Sequence, residues 1–316
     1  RRRGDDHLSL VAGISKLQSR ELSAVGVSTL SALATTALPL VFSRGSEESY
    51  RRVREQARVQ LEGRITGRPT VEVLPLREGQ GLARLPAPSA GDVFLDFEGD
   101  PFALEGGREY LTGLVVPGSD GYRAWWAVDD AQERAAFEGL VDVLMAAWAR
   151  DPSMHVYHYA PYEPAAVKRL MGRYGTRADE VDRMLRGGLF VDLHSVTRNG
   201  LRASVERYSL KDLEAFHGFV RELDLRSASK GLRAVERALE LGDLDSVTPD
   251  LRAAVEAYNR DDCLSTRSLR DWLEQLRTEI VAGGTDVPRP PPAQTAPPRD
   301  VDARNQRRRD LASAAL

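Results

Sequence analysis

The sequence predicts an α/β domain, a mixed sheet flanked by helices, preceded by a small all-α segment. Three observations carry this. The run Asp92-Val93-Phe94-Leu95-Asp96-Phe97-Glu98-Gly99-Asp100 begins apolar on both faces, as a central strand buried on both sides does. Two more β-runs come directly after it, Tyr110–Val116 and Tyr122–Val128, which points to an antiparallel half of the sheet. Before this stretch, from Leu8 to about Leu61, the apolar spacing is helical.

The whole chain bounds the answer. Its 316 residues are more than one domain usually needs, and 42% hydrophobic with 29% charged residues is an ordinary globular composition. No apolar run is long enough to span a bilayer, and no signal peptide opens the chain, so no membrane partner is expected. The single Cys263 excludes a disulfide framework within the chain and fits a reducing, cytoplasmic compartment. A net charge of -3 does not advertise a nucleic-acid binder, although local patches rather than totals attract phosphate. The chain opens on Arg1-Arg2-Arg3 and ends in a Pro-rich segment with a charged tail. Both ends are expected to be cuts through a longer polypeptide.

In order, residues 1–62 read as a helical segment. Leu17, Leu22, Val25, Val27, Leu30 and Leu33 form two short stripes around Gly26, which can take the positive φ that ends one helix. Ser28 or Thr29 can cap the next. Helix, glycine-centred hairpin, helix is the outline of a helix-hairpin-helix element, which holds a nucleic-acid backbone by main-chain N–H groups. A plain helical packing segment has the same outline. Residues 63–91 form a connector, with Val71-Glu72-Val73-Leu74 as a candidate edge strand.

The next domain covers 92–282, with a hairpin turn at Pro117-Gly118-Ser119-Asp120-Gly121. Asp130 to Arg150 is an amphipathic helix, Met154–Tyr159 a strand, and Pro161 opens the next helix, where its missing N–H costs nothing. Arg177–Leu185 is helical, Leu189–Leu193 a short strand, and Ser209 caps a helix with Asp212 completing the pair. Glu222–Leu244 is polar and mostly helical, and Thr248-Pro249 starts a last long helix to about Ile280. Residues 283–316 are a Pro-rich linker and tail.

The candidate chemistry lies in acids far apart along the chain. Asp96 and Glu98 are two apart, so both leave the same face at the C-terminal end of a central strand, where ligands of α/β sheets collect. Two carboxylates there need a compensating cation. Leu251, Val255, Tyr258 and Asp262 are spaced 4, 3 and 4, one face of a helix whose apolar members say it is buried. Glu163 stands just past strand Met154–Tyr159, in the first turn of a helix. Each feature alone has a plain structural reading: solvated acids at a strand end, an exposed helix end, an acid on a helix dipole. Together they supply what two divalent ions, Mg²⁺ or Mn²⁺, need to clamp both oxygens of an in-line phosphodiester displacement. Substitution of any one acid should cripple such a pair.

With these residues the sequence resembles the DnaQ-like, DEDD-type 3′–5′ exonucleases of the ribonuclease H-like superfamily, in the branch with Tyr in its third motif. More narrowly it resembles the YprB-type ribonuclease H-like domain of bacterial RecB-like nucleases. The segments are Phe94–Asp100, Tyr157–Glu163, Phe190–Leu193, Tyr208–Glu214 and Tyr258–Asp262, within about residues 92–276. The resemblance implies Asp96, Glu98 and Asp262 as metal ligands and Tyr258 as the group that orients water. Glu163 stands where the family usually has Asp. Asp192 is the other candidate for the fourth acid, favoured here in a supporting role, and Lys211 is a candidate phosphate contact. The implied substrate is a single-stranded DNA or RNA end, and the implied company is a helicase, a RecB-like nuclease module, or both, fused or working together. A binding module without catalysis and a structure-selective endonuclease on the same fold are the rivals. No dinucleotide or phosphate-cradling glycine fingerprint and no zinc spacing is present.

Overall fold

The computed structural model describes residues 2–103, 106–116, 121–291 and 307. The expected turn at 117–120, most of the Pro-rich segment and nearly all of the tail lie outside the described residues. In chain order the elements are α1 (Lys16–Ala24), α2 (Leu30–Thr35), α3 (Glu47–Thr66), β1 (Val71–Val73), β2 (Val93–Asp100), β3 (Arg108–Val116), β4 (Gly121–Trp126), α4 (Asp130–Arg150), β5 (Val156–His158), α5 (Tyr162–Tyr174), α6 (Ala178–Arg186), β6 (Phe190–Asp192), α7 (Leu193–Gly200), β7 (Leu201–Ala203), α8 (Leu210–His217), α9 (Leu225–Leu241) and α10 (Pro249–Ala282).

They fall into two compact units that interleave along the chain. One takes 1–85, 193–220 and 265–289, and the other takes 86–192, 221–264, 290–291 and 307 among its described residues. The linear division at residues 62 and 91 does not coincide with these units. The reason is a long-range pairing. Val71–Val73 does form a strand, but its partner is β7, antiparallel, with Val71 opposite Ala203. A β-run carries no local mark of which distant strand it will meet, so this two-stranded sheet was not legible.

In the first unit, Leu8, Leu22, Leu30, Leu33, Tyr50, Val53 and Ala57 make one core. Gly26 has φ +86°, and of the two candidate caps Thr29 is the one used, its hydroxyl accepting from the Ala32 N–H at 3.1 Å. Buried Gln56 and Gln60 tie the helices to the rest. Gln60 donates to the Leu10 carbonyl at 2.8 Å, and Gln56 donates to the Ala203 carbonyl at 2.9 Å. Ser209 caps α8 as its sequence predicts, accepting from the Asp212 N–H at 3.2 Å.

The second unit holds a five-stranded sheet in the order β4-β3-β2-β5-β6. β4, β3 and β2 are antiparallel, while β5 and β6 continue parallel to β2. β2 is therefore central, as its two apolar faces require. Val93, Leu95 and Phe97 point to one face, into a core with Phe137, Leu140 and Leu144 of α4 and Val167 and Leu170 of α5. On the other face, Tyr110 and Leu111 of β3 pack with Val235, Ala238 and Leu239 of α9 and Val255 of α10. Several elements are shorter than the sequence suggests, β5 and β6 by two or three residues and α9 at both ends. Asp224 stops α9 from starting earlier by capping it, its carboxylate accepting from the Arg226 and Ser227 N–H groups.

Candidate active site

The period of two puts Phe94, Asp96 and Glu98 on the face of β2 opposite Val93, Leu95 and Phe97. Between Glu98 and Gly99 the register with β3 then shifts by one residue, with Glu98 opposite Leu111 and Gly99 opposite Glu109. Such a bulge bends a strand and re-aims the residues beyond it. On the same face, α10 brings Asp262, buried at 6% exposure. Asp96, Glu98 and Asp262 each offer one carboxylate oxygen, and these oxygens lie within 4.8 Å of one another. Three carboxylates this close repel in a partly buried site unless cations neutralise them. All-oxygen donors of this kind suit a hard divalent ion.

The close approach of helix to strand rests on two residues that the motif reading passed over. Gly113 of β3 stands opposite Asp96 in register. A Cβ at Gly113 would overlap the Asn259 amide oxygen, so any side chain there would push α10 off the sheet. Asn259 is fully buried. It donates from Nδ2 to Asp96 Oδ2 at 2.7 Å and accepts from the Tyr122 hydroxyl at 2.8 Å. Asp96 is thus held by a side chain one turn before Asp262. A signal existed: Asn259 lies four residues after Val255, on the stripe already known to be buried.

Asp262 also meets a cation. Arg221, in the segment before α9, donates from Nη2 to Asp262 Oδ1 at 2.5 Å. Its guanidinium lies 5.5 Å from the centre of the Tyr258 ring, within cation–π range. Tyr258 itself sits on α10 one turn before Asp262, where the helical spacing puts it. Nothing in the local sequence marks Arg221, because a residue between helices has no periodicity to read.

Glu163 is placed differently. It lines the same cavity as Asp96 and Glu98, a cleft of about 460 Å³, but it does not join the three clustered acids. It is 3% exposed and faces His158, whose Nδ1 is 3.1 Å from Glu163 Oε2 and 2.7 Å from the Ala160 carbonyl. A carbonyl only accepts, so Nδ1 carries the hydrogen and shares it between the two oxygens. Burial is the main cause that raises the Glu163 carboxyl above its ordinary range, partly offset by His158. Asp192, opposite His158 in the β5–β6 register, accepts from the Ala160 N–H at 3.0 Å. Ala160 has φ +74°, a left-handed backbone that is strained for alanine. Asp192 therefore supports the loop that leads into α5 and Glu163. Lys211 stands in α8, which belongs to the first unit, whereas the acids all belong to the second.

The far wall of the cleft is built around Glu109, 3% exposed. The Tyr162 hydroxyl donates to it at 3.0 Å and Arg169 pairs with it. Burial, then the charges of Glu163 and Glu98, push the Tyr162 hydroxyl up to about 12, so it stays a donor. Gly99 gives Glu109 and Tyr162 their room, because a Cβ there would overlap both.

A mixed sheet with a carboxylate cluster on its central strand, closed by a C-terminal helix, defines a class of α/β domains with an acidic cleft, its donors suited to a hard divalent ion. Comparison with known families narrows it: the chain matches the RNase H superfamily over residues 93–274 and belongs to that superfamily. No curated protein and no solved structure matches it.

Proposed function

We propose that this chain is a metal-dependent nuclease of the DnaQ-like, DEDD type with Tyr in the third motif, a 3′–5′ exonuclease on single-stranded DNA or RNA ends. The observation that carries the reading is the meeting of Asp96, Glu98 and Asp262 within 4.8 Å. Strand and helix deliver these acids from opposite ends of the domain, and gathering three like charges is costly unless a cation is held there. Mg²⁺ or Mn²⁺, when bound, would supply Lewis-acid activation and charge neutralisation at the phosphate.

The chain's own residues do the rest. Asp96, Glu98 and Asp262 would hold the ion. Asn259 fixes the rotamer of Asp96 through its amide. Tyr258 orients the attacking water by its hydroxyl. Glu163 would serve a second ion only by leaving His158. The cleft beside the acids accepts the strand end. A helicase or RecB-like nuclease module would deliver that end, as in the YprB-type domains the sequence resembles.

A second reading has its own observation. Glu163 is tied to His158 and stands outside the acid cluster. A chain that binds one ion weakly and cuts poorly could guide nucleic acid to a neighbouring nuclease. Digestion of 3′- and 5′-labelled single-stranded DNA and RNA with Mn²⁺ separates the two readings, with Asp96→Ala as the control. Release of mononucleotides from the 3′ label, lost in the variant, supports the exonuclease. Equal digestion by the variant sinks the metal site. Retention of the strands without cutting by either protein favours the guide.

A further inference from the structure

We infer that Arg221 sets the metal affinity of this site, as a resident cation that competes with the bound ion for Asp262. The inference rests on the metal reading above and goes beyond it. Arg221 and Asp262 side chains are 7% and 8% exposed, and their hydrogen bond is 2.5 Å. The pair is therefore desolvated, where opposite charges interact more strongly than at the surface.

Arg221 is also held in place. Its neighbour Glu222 donates its N–H to Asp261 Oδ2 at 3.0 Å, and the Glu222 carboxylate pairs with Arg260. Two consecutive residues thus grip three consecutive residues of α10, Arg260, Asp261 and Asp262. The Tyr258 ring adds a cation–π contact to the guanidinium, 5.5 Å from its centre. A rim arginine recruited for substrate alone would need neither this burial nor this strap.

Charge and distance set the electrostatics. Of the three carboxylates gathered within 4.8 Å, Asp262 carries the guanidinium charge of Arg221 directly against it. An incoming divalent ion must share Asp262 with that charge or displace it, and either course costs the ion affinity. Once displaced, the guanidinium remains beside the cleft acids, where its fork suits a phosphate. A merely structural arginine predicts the opposite. Its loss would leave Asp262 unpositioned and the ion bound less tightly.

The test is Mn²⁺ titration of the full chain, with free Mn²⁺ read by electron paramagnetic resonance at fixed pH and salt. Wild type is compared with Arg221→Gln, Arg221→Lys and Asp262→Asn. Arg221→Gln is expected to bind Mn²⁺ about tenfold tighter, about 1.4 kcal/mol. Arg221→Lys, which keeps the charge but not the fork, is expected about threefold tighter. Asp262→Asn is expected at least tenfold weaker. Unchanged or weaker binding by Arg221→Gln, with Asp262→Asn still impaired, overturns the role of Arg221 and leaves the metal site standing. Should Arg221→Gln fail to fold by circular dichroism, Arg221→Lys decides on the same criterion. Wild type that binds no Mn²⁺, or Asp262→Asn that binds as well as wild type, overturns the metal reading and this inference with it.

Discussion

Two acidic corners of the same unit lie along one cleft and are built on different principles. At the first, Asp96 and Glu98 from β2 meet Asp262 from α10, and their oxygens gather within 4.8 Å. At the second, Glu163 is deeply buried in the first turn of α5 but turns to His158, just past a loop braced by Asp192 and strained at Ala160. The first corner concentrates negative charge. The second disperses it into hydrogen bonds and raises its carboxyl by burial. Burial of an acid therefore does not by itself mark a ligand. Both corners have local donors, and what separates them is that further carboxylates gather at the first and not around Glu163.

The widest gap between the corners is expected in catalysis. Asp96→Asn and Asp262→Asn each lower Mn²⁺-dependent single-turnover hydrolysis about a thousandfold, about 4 kcal/mol of barrier. A loss under tenfold in either would erase the distinction. Next in size is the packing that makes the first corner possible. Gly113→Ala forces a methyl onto Asn259 and costs about 3 kcal/mol in urea unfolding. Unaltered stability would mean that α10 does not sit so close.

Asn259→Ala takes two hydrogen bonds from a fully buried position, to Asp96 and from Tyr122, and costs about 2 kcal/mol by the same measurement. It also lowers hydrolysis, because Asp96 loses its brace. The smallest effect belongs to the second corner. Glu163→Gln lowers hydrolysis about tenfold, within the range for groups outside the metal's own ligands. Its clearer mark is on pH dependence. A carboxyl raised by burial binds its proton more tightly when folded. Its contribution to stability is full below the ordinary carboxyl value of 4.5 and is lost as pH rises through the folded value. Glu163→Gln should flatten that part of the wild-type profile, and an unchanged profile would place Glu163 among ordinary solvated acids.

Much of this was legible because local rules govern it. The double-faced apolar run fixed β2 as central, period two put Asp96 and Glu98 together, and helical spacing put Asp262 on a buried stripe. Gly26 and Ser209 behave as turn and cap chemistry requires. The rest depends on distant partners. Val71–Val73 finds β7 by a pairing that no local pattern encodes. Gly113 reads as a weak strand residue until a helix side chain is seen against it. Glu163 is a candidate ligand from its place past β5, and no periodicity announces that it faces His158, five residues earlier. Arg221 has no pattern around it at all.

One consequence reaches beyond the cleft. Tyr122 belongs to the outermost strand, yet its hydroxyl leads through Asn259 to Asp96 in two steps. β4, at the edge of the sheet, is thereby linked to the acid cluster. A substitution at Tyr122 reaches Asp96 through Asn259 while every acid stays intact, so natural variants scored by their carboxylates alone are scored on only part of what holds the cluster together.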